Sequence, residues 1–429
     1  MSGGVPAGGA PAGGAPAGAL GSIVRPLSEK EFARLRALAI ARGVVVERDG
    51  LSVLGFGEAT SLPLPNGLSD PQALRRTAET LAAIGSRTVA LGAFHFLPDA
   101  AVALTVPSVC VRRLDGASPI AVVVGTAPNE AAVTDLLAEA AAAAQAGTAE
   151  SPPDSFHLAS RRPHEDFLQR LAAAVDEVRS GRLDKVVMAR EVLIEANRPF
   201  RQGDLIERLR TLHPSCATFA VHGFVGATPE LLIRRSGREV ESHPLAGTAA
   251  RSGDPEVDRR VEAALLASDK ERAEHGAVVE AITGGLRPVL AELRVPEAPS
   301  IVELRNVSHL GTHITGTLVA GADGELLNAL ELLALIHPTP AVAGTPVDLA
   351  LDYLAKAEEV DRDRYAGAVG WIDADGDGEW HLGIRCAIVE DRTARLFAGV
   401  GIVADSDPAA ELAETQLKLQ AFLAAAVRP

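Results

Sequence analysis

The sequence predicts a mixed α/β or α+β fold, and three observations carry that prediction. Segments rich in Val, Ile and Thr alternate with amphipathic helical segments in an irregular order, unlike the strict succession of a βαβ array. The 429 residues, at about 150 residues per domain, supply two or three domains or one large layered unit. Hydrophobic residues make up 47% of the chain but aromatics only 3%, so the core is built from Ala, Val and Leu.

The elements follow in order. Residues 1–22 open with repeats of Gly, Ala and Pro that offer almost nothing to bury, and they are expected to form a disordered tail. Ser28 then caps a helix with apolar residues at helical spacing, stopped by Gly43. Asp49-Gly50 reads as a hairpin turn between short strands. PQALRRTAETLAAIG is a helix, RTVALGAFHF a strand, and NEAAVTDLLAEAAAAAQAG a long helix ending at Gly147. Thr148 to Pro163, with Pro152-Pro153, is the best internal boundary; it separates an N-terminal part, 23–150, from a core, 160–427. The core starts with the amphipathic helix HEDFLQRLAAAVDEVRSG and the strand DKVVMAREVLIEA, and includes two long helices near residues 256–284 and 408–426.

Charge and composition exclude several function classes. Lys and Arg number 41 against 56 Asp and Glu, a net charge of −15 that opposes nucleic-acid or anionic-membrane binding, though not a small anion held by local cations. No apolar run approaches the roughly 18 residues of a membrane helix, and no basic start precedes an apolar N-terminal stretch, so a cytoplasmic protein is expected. Cys110, Cys216 and Cys386 form no CxxC pair, which leaves three buried small hydrophobes.

Three motifs fail on inspection. Asp373, Asp375 and Asp377 imitate a calcium loop, but its twelfth position is Ile384, so a hairpin turn is expected. His309 and His313 lie on a β-branched, alternating segment, where four residues put their Cα atoms about 13 Å apart, too far for one zinc. Gly399-Val400-Gly401 lacks the third glycine of a dinucleotide fingerprint.

Polar residues on segments expected to be buried are harder to dismiss. Strand alternation puts Lys185, Val187 and Ala189 on one face. An edge-strand lysine is the plain reading; if buried, its ammonium is desolvated and a neutral amine becomes available as a base. Glu230, between Pro229 and an apolar run, is either a surface acid at a strand end or a buried proton donor. Alternation across EWHLGIRCAIV places Arg385 with Gly383 and Ala387, whose small side chains leave a guanidinium room to grip a carboxylate. Glu271 and Glu274 on one helix, and Glu411, Glu414 and Lys418 on another, read as solvated faces or as one carboxylate from each helix for a hydrated Mg²⁺.

Nine ordered blocks resemble the chorismate-utilising enzymes: DKVVMAREV, GATPELLIR, ESHPLAGTAAR, ASDKERAEH, HPTPAVAGTP, YAGAVGWID, GIRCA, LFAGVGIVADSDP and ETQLK. They cover nearly all of residues 160–427, and VALGAFHFLPD extends the resemblance weakly into the N-terminal half. Within that family the blocks are most similar to the isochorismate synthases. The lysine of DKVVMAR marks members that add water at C2 of chorismate, and Ala246 stands where aminodeoxychorismate synthases carry a lysine. Thr248 departs from the Ser of some close relatives.

The resemblance implies an anthranilate-synthase large-subunit-like fold of two stacked sheets flanked by helices. It implies conversion of chorismate to isochorismate, for siderophore or menaquinone synthesis, by a monomer without a glutamine amidotransferase. Carried over by position, Lys185 is the general base and Glu230 the general acid. Glu274 and Glu414 hold Mg²⁺, Arg385 and Lys418 bind carboxylate, and Gly247, Thr248, Ala341 and Gly399 close on the substrate. The alternatives are a salicylate synthase, which goes on to eliminate pyruvate, a glutamine-dependent aminase, and a non-catalytic protein that has kept the fold.

Overall fold

A computed structural model describes residues 19–146, 151–321 and 324–427. Among them every strand pairing is antiparallel, which agrees with the irregular alternation of elements in the sequence. The elements that build the site are α1 (His164–Arg179), β1 (Lys185–Ala196), β2 (Phe224–Thr228), β3 (Leu245–Ala250), α2 (Asp269–Leu286), β4 (Val307–Gly311), β5 (Gly378–Leu382), β6 (Cys386–Glu390), β7 (Thr393–Ile402) and α3 (Pro408–Val427).

The described strands form sheets of twelve, nine and three strands. In the largest, β2, β6, β7 and β1 lie side by side, and Val44–Arg48 joins the N-terminal strands to them through Ala217–Val221. In the second, Val89–Ala93 pairs with Ala368–Asp373 beside β5. Both halves of the chain therefore contribute to both large sheets. The smallest sheet is β3, β4 and Ser300–Glu303.

Strand periodicity sorts side chains into two cores. Val46, Phe219 and Cys386 join residues of the second sheet, such as Leu91 and Trp380, in the layer between the sheets. Their chain neighbours Val45, Ala220 and Ala387 enter a second core, between the largest sheet and helices Glu29–Arg42, Gln202–Leu212 and α3. The thiols of Cys110 and Cys216 are pushed up by burial to about 12 and about 11, as inert core groups should be.

Several expectations hold locally. Ser28 caps Glu29–Arg42 in a capping box with Glu31, and Gly50 takes φ +76° in the Asp49-Gly50 turn. Asp373 turns the hairpin into β5 by accepting from the N–H groups of Asp375 and Asp377 at 3.0 and 3.1 Å. Among the described residues no helix is long and apolar enough to cross a membrane.

Four expectations are corrected. Residues 1–18 lie outside the described part, but Leu20 is buried and Gly21 and Ser22 already pair with Gly125 and Val124, so the fold begins before residue 23. The boundary at 148–163 contains the strand Phe156–Ser160, which pairs with the far half of β1; the helix end expected at Gly147 is outside the described residues. The long helix near 256–284 is two helices, because Ser268 ends Pro255–Ala267 and caps α2, its Oγ accepting from Glu271 N–H. Arg385 does not continue a strand: β5 ends at Leu382, and Gly383–Arg385 crosses to β6 in the other sheet with Arg385 at φ +52°. At the crossover a Cβ on Gly383 would lie 2.8 Å from Phe224 and 2.9 Å from the Arg364 carbonyl, so only glycine fits. Apolar alternation runs on through the crossover, which is why the pattern hides it.

Candidate active site

All the residues singled out for a site, on eight separate blocks of sequence, line one cavity of about 140 Å³. That is well above the roughly 10–15 Å³ that holds one water. Lys185, Glu230, Gly247, Thr248, Glu274, Ala341, Arg385, Gly399, Glu414 and Lys418 are gathered there.

β1 and β7 form the floor. Lys185 stands at the start of β1, 7% exposed, and the two-residue strand Gly344–Thr345 covers the sheet edge beside it. Val187 and Ala189 pair with Gly401 and Gly399 of β7. A Cβ at Gly401 would come within 2.5 Å of Lys185 Cε, and one at Gly399 within 3.0 Å of the Tyr365 hydroxyl. The two glycines thus clear space for the lysine and for Tyr365.

Glu230 follows β2 directly and is 3% exposed, with Oε1 buried and unpartnered. Burial pushes its carboxyl up to about 8, against the opposing pull of the Leu245 backbone and the charges of Arg385 and Lys185. It is therefore protonated at neutral pH and has a proton to give.

Arg385 lies beside it, and its hydrogen-bond partner His309 is neutral. His309 Nδ1 lies 3.0 Å from the Gly247 carbonyl, which can only accept, so Nδ1 carries the proton. Nε2 then accepts from Arg385 Nη2 at 3.2 Å. Burial first, then the Arg385 charge, hold the His309 imidazole down to about 3, fixing it neutral. No carboxylate forms an ion pair with Arg385 among the described residues, so the guanidinium is free for an anionic ligand.

The opposite side is acidic. α2 contributes Glu271 and Glu274, and α3 contributes Glu411 and Glu414. Glu274 Oε1 accepts from Lys185 Nζ at 2.7 Å, and Glu414 Oε1 from Lys418 Nζ at 2.6 Å. Burial raises the Glu274 carboxyl, but Lys185 and then Lys418 outweigh it and hold the group below its ordinary value. Glu271 and Glu411 are raised, first by burial and then with contributions from the neighbouring charges of Glu274 and Glu414. Among the described residues no three His, Cys, Asp or Glu side chains are already gathered as a metal cluster. Two carboxylates on facing helices, with acids beside them that repel, nevertheless suit a hard divalent cation that keeps part of its water.

Sequence reasoning missed some of this wall. His309 was set aside because it cannot share a zinc with His313; the structure separates the two, His313 being exposed and 3.1 Å from Glu241, but turns His309 into the cavity. Tyr365, stacked on Phe397 at 5.2 Å, and Lys270 also line it. A loop tyrosine and a lysine on a charged helix have no periodic signal to mark them.

The model for the family described as chorismate binding enzyme matches residues 70–427. The chain belongs to the chorismate-binding enzyme family. The match begins 90 residues before the core expected at 160, as the strands shared between the two halves require. Isochorismate synthase DhbC of Bacillus subtilis is 39% identical over 282 residues, 63% of this chain and 70% of that protein. The salicylate biosynthesis isochorismate synthase of Pseudomonas aeruginosa is 42% identical over 273 residues, 62% of this chain and 55% of that protein. The crystal structure of DhbC from Bacillus anthracis, a candidate 2,3-dihydroxybenzoate-specific isochorismate synthase, superposes with a TM-score of 0.79 at 30% identity, over 92% of this chain and 99% of that one. MenF of Escherichia coli, a menaquinone-specific isochorismate synthase, gives 0.76 at 25% identity over 95% of each chain. Anthranilate synthase component I of Streptococcus pneumoniae, at 19% identity and 0.63, shares the fold. The family fold is thus the two-sheet assembly expected from the sequence.

Proposed function

We propose that the chain is an isochorismate synthase, converting chorismate to isochorismate by adding water at C2 as the C4 hydroxyl leaves. The observation that carries the reading is one cavity holding a buried lysine, Lys185, and a buried carboxyl, Glu230, whose proton is retained to about 8. The reaction needs one group to accept a proton from water and another to deliver one to a departing hydroxyl. Lys185 takes the first role. Glu230 takes the second, with Oε1 bare and open to a hydroxyl partner.

Arg385 and Lys418 supply the cations for the substrate carboxylates. The backbone at Gly247-Thr248, Ala341 and Gly399 closes around the ring. Glu274 and Glu414 would hold Mg²⁺, which when bound neutralises a substrate carboxylate and keeps it in register. Glu274 accepts from Lys185, so a cation held there would share that carboxylate with the lysine.

On this reading the enzyme works in the cytoplasm as a monomer, needs no glutamine amidotransferase, and passes isochorismate to siderophore or menaquinone synthesis. Ala246, lining the cavity where a lysine would mark an aminodeoxychorismate synthase, supports water over ammonia as the nucleophile. Chorismate incubated with the protein and Mg²⁺, followed by separation of products, tests the proposal. Isochorismate supports it, salicylate shifts the reading to a salicylate synthase, and unreacted chorismate favours the non-catalytic alternative.

A further inference from the structure

Five residues along β1 from Lys185, the same strand carries a second buried cation. Arg190 is 7% exposed, and no carboxylate forms an ion pair with it among the described residues. The other buried arginines differ in this respect: Arg112, Arg235 and Arg362 face Asp373, Asp377 and Glu358 at 3.2, 3.3 and 2.6 Å. Arg190 Nε donates to Thr415 Oγ1 at 2.7 Å, and Nη1 reaches Ser160 Oγ and His164 Nε2 at 3.4 Å. Nη2 has no protein partner among the described residues. A buried charge with only neutral partners is costly and calls for a counter-ion.

The acids nearby are already engaged. Glu191 accepts from Arg395 at 2.7 Å and faces Arg161 at 3.7 Å. Glu358 is held by Arg362 and by the Ala189 N–H. Four arginines and two glutamates line the cleft; Glu359 pairs with Arg162 and Arg170 and Glu191 faces Arg161, so Arg190 is the one arginine of the four that no carboxylate answers among the described residues. The cleft also takes in the start of α1, where Pro163 occupies the cap position and no side chain caps the free N–H groups. Its volume, about 30 Å³, seats about two water-sized atoms, enough for two oxygens of a small oxyanion. It shares no lining residue with the catalytic cavity.

We propose that this cleft is a second binding site, taking a small oxyanion of the size of inorganic phosphate or a short carboxylate, with Arg190 as its anchor. The site touches the catalytic one through Thr415, the neighbour of Glu414 on α3.

Calorimetric titration of the full chain with inorganic phosphate, free of Mg²⁺ and at constant ionic strength in chloride, tests this. The expected result is saturable binding of one phosphate that Arg190→Gln weakens at least tenfold and Arg385→Gln leaves unchanged. Arg162→Gln and Ser160→Ala, at the rim, should weaken it about threefold and decide the matter if Arg190→Gln does not fold. Absence of saturable binding would overturn the proposal. So would loss of binding in Arg385→Gln with retention in the cleft variants, which would put the phosphate in the catalytic cavity.

Discussion

Lys185 Nζ donates to Glu274 Oε1 across 2.7 Å, tying the residue proposed as general base to a residue proposed as metal ligand. β1 and α2 meet at this bond, 89 residues apart in sequence. Removing the amine should abolish proton transfer and leave the sheet intact, because Lys185 pairs only with Thr345 at the end of β1, while the pairs with β7 begin at Val186. Lys185→Ala should keep its circular dichroism spectrum and lose about 10²–10⁴-fold in turnover of chorismate. Substantial turnover in the purified variant would remove Lys185 from the mechanism.

Glu230 gives the reaction an alkaline limit. Its carboxyl is raised to about 8 by burial, so the proton needed at the leaving hydroxyl is lost as pH rises through that value. A pH profile of kcat/KM should fall above about 8, and Glu230→Gln should be nearly inactive across the range. The same shift has a stability consequence with a definite sign. The raised value favours the folded state fully below the ordinary carboxylate range, and that contribution fades as pH rises to about 8. The melting temperature of Glu230→Gln relative to wild type should therefore climb over this window; a constant difference would contradict the assignment.

The carboxylates of α2 and α3 set the cation dependence. Glu274→Gln and Glu414→Gln should each shift the Mg²⁺ activation curve to higher concentration by tenfold or more and weaken apparent substrate affinity. Identical Mg²⁺ titrations in wild type and variants would place the cation elsewhere.

Gly401 offers a test confined to geometry. A methyl group there meets Lys185 Cε at 2.5 Å, and the lysine end, being flexible, yields more readily than the sheet. Gly401→Ala should cost little in melting temperature but at least tenfold in turnover. Wild-type turnover would mean that the lysine position is not critical.

Much of this was readable before the fold was known. The caps at Ser28 and the turns at Asp49-Gly50 and Asp373 depend on local chemistry, and they formed where that chemistry put them. The site residues were legible as ordered motifs, and the cavity brings them together. What escaped depends on contacts between distant segments. The crossover at Gly383–Arg385 hides inside an unbroken apolar alternation, and His309 acquires its place only through the Gly247 carbonyl and Arg385. The break at Ser268 could have been read, since a serine three residues before Glu271 is a capping signal.

The measurement that bears most directly on the central claim is product separation after incubating chorismate, Mg²⁺ and the protein, with Lys185→Ala and Glu230→Gln in parallel. The account predicts isochorismate from the wild type, no salicylate, and almost no product from either variant. Salicylate as the wild-type product, unreacted chorismate, or isochorismate formed equally by the variants would contradict it.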